Sequence, residues 1–249
     1  MILTLFKTEL IKQKKGFIWL IVTIIPLGTM VAMFLDMYLR YHTYLYGLAQ
    51  NNKVTSWVIL LKENHNILGW GMFLPFFVSI IATIIYYTEF ENNSWKKHLS
   101  LPVSKVEIYI SKFFVILFFS LIMIILNSLG LLIVGKIIGF PEAFDYKLYA
   151  NYILFQFIAI LGVSAIHNFL SSYYESAITP VIIGFISMIF SKIVLLARPG
   201  IAKFIPYTYT HYANNLNGES KALVVYGGII SMAILLFLGI LSFKKRDIL

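Results

Sequence analysis

Residues 89–112 read EFENNSWKKHLSLPVSKVEIYISK, preceded by GMFLPFFVSIIATIIYY (71–87) and followed by FFVILFFSLIMIILNSLGLLIV (113–134). Each flank has the length an α-helix needs to cross a hydrocarbon core, about 20 apolar residues. The segment between them carries acids, bases, a Trp and a Pro, so it joins two spans outside the lipid. The rest of the chain repeats this alternation. Apolar runs at 17–35, 69–87, 113–134, 148–170, 177–197 and 222–243 make six predicted spans.

Composition points the same way. Of the 249 residues, 59% are hydrophobic and 12% charged, and the mean hydropathy is +0.83. A soluble domain of this size carries about twice that share of charge to cover its surface. The expected fold class is an all-α membrane protein, one transmembrane domain over residues 1–249 with no soluble domain of appreciable size. The absence of Cys excludes disulfide frameworks, Cys-ligated zinc and thiol chemistry. The basic N-terminus precedes an apolar run too long for a signal-peptide core, with no small-residue cleavage site after it, so no cleaved signal is expected.

Six spans place both termini on one side. That side holds Lys7, Lys12, Lys14, Lys15, Lys96, Lys97, Lys105, Lys112, Lys244, Lys245 and Arg246, dense and close to the span ends. The opposite side holds Arg40, Lys53, Lys62, Lys136, Lys147, Arg198, Lys203 and Lys221, spread over longer loops. The positive-inside rule makes the first side cytoplasmic.

The 89–112 segment has an internal order. Asn92, Asn93 and Ser94 are suited to cap a short helix starting at Trp95, and Leu101-Pro102 ends it. Ser104-x-x-Glu107 then spells a capping box for the third span, with Val103 and Ile108 at the staple positions. The pattern describes an elbow: short helix, Pro bend, rigidly started span. At the N-terminus (1–16), Ile2, Leu3, Phe6 and Leu10 share one arc of a helical wheel, opposite Thr4, Thr8, Lys12 and Lys15. That fits an amphipathic helix on the cytoplasmic leaflet, and equally a plain basic anchor. Residues 198–221, RPGIAKFIPYTYTHYANNLNGESK, are too apolar at their start for a solvated loop and predict a short re-entrant or interfacial element before the last span.

Catalytic patterns fail on their residues. GLLIVGKI (130–137) lacks the Ser/Thr of a phosphate-binding loop and lies within a span. Ser164 and His167 are neighbours on one predicted helix, and the last span offers no His as a base. No HExxH and no Glu-Glu pair followed by Arg occurs. No catalytic residue, no metal site and no cofactor in this chain are expected.

With these residues in hand, the chain resembles the six-span permeases of the ABC-2 type, and most closely the small permeases of lantibiotic-protection (immunity) transporters of Gram-positive bacteria. The resemblance rests on FKTELIKQKKG (6–16), Glu89-x-Glu91 with Asn93-Ser94-Trp95-Lys96, SLPVSKVEIYISK (100–112), FIPYTY (204–209) and FKKRDIL (243–249). It implies that 89–112 contains a cytoplasmic coupling helix that docks on a separate ATPase, with Glu89, Glu91, Asn93, Trp95, Lys96 and Pro102 at that contact. It also implies two permease copies, or a sister permease, with two ATPase subunits that hold ATP and Mg²⁺, in a bacterial cytoplasmic membrane. The cargo it implies is an amphipathic antimicrobial peptide, a bacteriocin; no nucleic-acid partner is expected.

Tyr38, Tyr41, Tyr44 and Trp57 on the outer side, and Asn127 and Gln156 within spans, are candidate cargo contacts. An aromatic belt and helix–helix hydrogen bonding account for the same residues. Export of another cargo (a drug, a lipid or a self-made toxin), a membrane-embedded enzyme and a sensor subunit stand as the alternatives.

Overall fold

The computed structural model describes residues 2–91, 103–214 and 218–245. The elbow helix expected at 95–101 and the end of the FKKRDIL tail lie outside the described residues. All regular structure among the described residues is helical.

Helix α1 (Ile2–Lys12) is followed by one 3-10 turn, and Gly16 N–H closes that turn on Gln13 O at 2.9 Å. Span 1 then starts as α2 (Ile18–Arg40) and runs through a π turn (Tyr41–Leu45) into α3 (Tyr46–Asn51). The outer segment after residue 35, expected as a loop, is therefore mostly helix. Its buried residues explain why. Met33, Met37, Tyr41, Leu45 and Ala49 recur every fourth residue and are all at most 2% exposed. In a regular α-helix such a stripe drifts round the axis; the wider π turn takes up the drift and keeps it facing one way. Arg40 adds an i,i+4 pair to Asp36 (2.6 Å) and reaches Glu63 at 3.0 Å. The chain reverses at Lys53, in the left-handed region at φ 52°, and returns as α4 (Ser56–Lys62), capped by Thr55, and a second π turn (Glu63–Ile67).

Span 2 is α5 (Trp70–Glu91) and span 3 is α6 (Lys105–Ile138). Span 3 is 34 residues, about 50 Å at 1.5 Å per residue, and so overreaches an apolar core of about 30 Å at both ends. The apolar window 113–134 underestimates it because its polar first turns are part of the same helix. Ser104 Oγ accepts Glu107 N–H at 3.2 Å while Glu107 Oε2 accepts Ser104 N–H at 3.2 Å, and Gly139 closes the far end at φ 81°.

Span 4 comprises α7 (Tyr146–Ala159) and α8 (Leu161–Tyr173), interrupted at Ile160. The interruption sits where Gly162 meets Ser231 of the last span and Pro206; a Cβ there would lie 2.3 Å from Ser231 Oγ. Span 5 is α9 (Ile178–Ala197). The segment before span 6 folds as α10 (Pro199–Ala202), a 3-10 turn (Pro206–Thr208) and α11 (Tyr209–Tyr212), with Tyr207, Thr208, Tyr209 and Thr210 buried. Span 6 is α12 (Gly218–Lys245).

Spans 2, 3 and 4 are the core. Within their most apolar windows 56% of residues are buried in the chain, against 17–28% for spans 1, 5 and 6, which turn apolar faces outward. Phe185, Ile186, Ile189, Phe190 and Ile193 form such a face on span 5.

Candidate functional site

The end of span 2 and the start of span 3 meet α1 in a ring of charge. Glu9 Oε1 accepts from Lys12 Nζ at 2.6 Å, and Glu9 Oε2 accepts from Lys112 Nζ at 2.7 Å. Glu89 Oε1 accepts from the same two ammonium groups, at 2.8 Å from Lys12 and 2.9 Å from Lys112. Lys112 has no accessible side-chain surface, Glu89 has 3%, and the Lys112 ammonium lies 5.3 Å from the centre of the Tyr86 ring. A charge removed from water this fully persists only when paired on several sides. Burial alone would push the Glu9 carboxyl pKa up; Lys112 and then Lys12 outweigh it and hold it below the ordinary carboxylate range.

The sequence places each member for a local reason. Glu9 follows Phe6 by three residues, so the contact of Phe6 with Phe118 of span 3 (5.9 Å, edge-on) turns Glu9 toward the same helix. Lys112 lies two turns inside span 3, fixed in register by the Ser104–Glu107 cap. Glu89 ends span 2. Three helices thus converge where span 2 ends and span 3 begins, one of them the N-terminal helix.

Beside that contact, Ile2, Leu3 and Phe6 of α1 face a gap whose other walls are Phe114 and Phe118 of span 3 and Phe157 of span 4. They leave a laterally open, apolar groove of about 640 Å³.

The opposite end of the bundle is closed differently. Trp57 is wedged among Phe140 (4.9 Å), Phe144 (4.9 Å) and Tyr149 (6.1 Å), and its Nε1–H donates to Glu142 O at 3.0 Å. Tyr41 packs at a tilt against Phe140 at 4.7 Å and shares a hydrogen bond with Ser56 (2.7 Å), whose Oγ also contacts Glu142 Oε1 at 3.2 Å. The wedge depends on Gly135, where a Cβ would meet the indole at 2.3 Å. Below it, Asn64 donates to Asn127 Oδ1 (3.2 Å), Asn127 donates to Thr29 (2.8 Å), and His65 pairs with Tyr152 (3.0 Å). Trp70 Nε1–H donates to Gln156, and His167 pairs with the Tyr207 hydroxyl, fastening span 4 to the short helices before span 6.

Among the sequence-derived site residues, Glu89 is therefore buried in the ring, whereas Glu91 is exposed. Asn93, Trp95, Lys96 and Pro102 lie outside the described residues. Tyr41, Trp57, Asn127 and Gln156 are interior and hydrogen-bonded within the chain, while Tyr38 and Tyr44 face outward at 68% and 57% exposure. Sequence reasoning missed Glu9, Lys12 and Lys112 as a unit. The available signal was that Glu9 is the one acid before Asp36, and that Lys112 abuts an unbroken apolar run. Among the described residues no group of three or more His, Cys, Asp or Glu side chains is placed to hold a metal ion.

A family model described as "ABC-2 family transporter protein" matches residues 5–191, from α1 through most of span 5. The chain belongs to the ABC-2 transporter family. It is a multi-pass membrane permease, the membrane component of an ABC transporter, and membership implies an ABC ATPase as partner. No curated protein matches the chain. For an ABC-2 permease the ring has a clear position: it surrounds the roots of the polar segment between spans 2 and 3.

Proposed function

We propose that this ABC-2 permease expels an amphipathic, cationic antimicrobial peptide from a bacterial cytoplasmic membrane. ATP and Mg²⁺ are held by a separate ATPase that docks on residues 89–112, and two permeases, identical or sister chains, work with two ATPases. Both termini are cytoplasmic.

The observation that carries this reading is the laterally open apolar groove beneath α1. A cargo already embedded by its apolar face enters from the lipid and needs no wide aqueous vestibule. Tyr38 and Tyr44, outward-facing at the far end of span 1, offer amphipathic rings where such a peptide leaves. The ion ring supports docking at the elbow, because force applied between spans 2 and 3 reaches α1 and both spans together.

The test is tolerance. Cells expressing the permease with its ATPase should survive a lantibiotic-type peptide that kills cells carrying an ATPase-dead partner. Equal tolerance in the two strains contradicts the proposal.

A further inference from the structure

Helix α1 has no covalent route to residues 89–112 except through span 1, yet two of its three charged residues, Glu9 and Lys12, occupy half of the ring where span 2 ends and span 3 begins. Each α1 charge touches a buried opposite charge from a core span: Glu9 meets Lys112 of span 3, and Lys12 meets Glu89 of span 2. A basic anchor needs none of this, since lysines alone hold a helix at an anionic leaflet. An acid on such a helix opposes that attraction, and Glu9 is nearly fully buried, where only its two lysine partners compensate its loss of water.

We infer that Glu9 and Lys12 are positioning residues for transport: they clasp α1 to the inner ends of spans 2 and 3, so the three move as one body when the ATPase pulls on the elbow. The inference rests on the permease reading above and adds a part to it. One wall of the apolar groove is α1, through Ile2, Leu3 and Phe6, and another is span 3, so a clasped α1 and span 3 shift together against Phe157 of span 4 when the ATPase pulls. An unclasped α1 keeps its Phe6–Phe118 contact but no longer follows the motion.

The charge-balanced double variant Glu9→Gln/Lys12→Gln separates this role from a structural one. It withdraws one acid and one base together and leaves Lys112 paired with Glu89. Reconstituted with the ATPase in vesicles and supplied with a fluorescent cationic amphipathic peptide, the variant should hydrolyse ATP at a rate near wild type. Peptide moved per ATP should fall about fivefold or more. An unchanged ratio of peptide moved to ATP hydrolysed overturns the inference, whether the two rates are intact or reduced together. Wild-type permease that moves no peptide refutes the proposed cargo instead.

A second measurement decides the matter without cargo. Spin labels at Ile11→Cys and Tyr87→Cys, both outward-facing, report the distance between α1 and span 2 in a chain with no other Cys. One body predicts the same distance in nucleotide-free and ATP-trapped complexes, and a nucleotide-dependent change only after Glu9→Gln/Lys12→Gln. A shift above about 2 Å in the unneutralised chain, the scale of an independent helix movement, overturns it.

Discussion

At the end of the bundle that carries α1, four charged side chains from three helices share four contacts of 2.6–2.9 Å, while at the opposite end a single indole is held by two phenylalanine rings at 4.9 Å and one backbone carbonyl. The difference is one of chemistry and of tolerance. Ammonium and carboxylate groups on long, flexible stems keep their attraction while helices tilt or slide by an ångström or two. Interlocked rings over a glycine do not, because close-packed surfaces lose dispersion contact or clash over the same distance. Under the proposed function, the ring transmits movement and the indole wedge resists it. Each of the following measurements bears on that contrast.

The largest effect belongs to Lys112→Met, which leaves Glu9 and Glu89 with Lys12 as the remaining base of the ring. Removing one partner of so buried an ion pair costs about 3–5 kcal/mol. Thermal unfolding in detergent should show a large fall in midpoint, and Glu9→Gln/Lys112→Met should recover most of it by restoring balance. Additive losses in the double variant would mean that the ring is not one unit.

Gly135→Ala comes next, at about 1–3 kcal/mol, because its new methyl group meets the Trp57 ring. In Trp57→Ala, where the indole is gone and Phe140 at 2.9 Å is the remaining close neighbour, the same Gly135→Ala change should cost less. An equal cost in both backgrounds would break the account of the outer wedge.

These two ends also divide what was legible in the sequence. The six spans follow from hydropathy, because burial in lipid needs only an apolar run of sufficient length. The extension of span 1 past residue 35 was hidden, since its stripe of Met37, Tyr41, Leu45 and Ala49 is interleaved with Asp36, Arg40, His42 and Asn51 and lowers the window average. Gly135 and Gly139 look like one small-residue motif, but one seats Trp57 and the other ends a helix. The ring was beyond reach for a simpler reason: Glu9 and Lys112 are 103 residues apart, and no local period joins them.

A smaller effect is expected from acid. The Glu9 pKa is depressed, so its contribution is present above the ordinary carboxylate value and is lost as pH falls through the lower, folded value. Hydrogen-exchange protection of α1, corrected for intrinsic rates, should therefore hold at about pH 5 and fall only below the usual carboxylate range of about 4. Loss of protection around pH 6 would show that Glu9 does not tie α1 down.

The smallest effect is that of Tyr38→Ala, at an outward-facing position, where stability should change by no more than about 0.5 kcal/mol. Its use is in transport: a drop in peptide release at unchanged stability would mark the outer tyrosines as contacts on the cargo's way out.

The central claim is that the permease moves an intact peptide at the expense of ATP hydrolysed by its partner, and the most direct measurement is where the peptide goes. Cells loaded with an amphipathic cationic peptide are assayed by mass spectrometry for intact and cleaved peptide on the cells and in the medium, with a wild-type or an ATPase-dead partner. The account predicts intact peptide shifting from cells to medium with the active ATPase alone. Cleaved peptide, or the same shift with the dead partner, would contradict it.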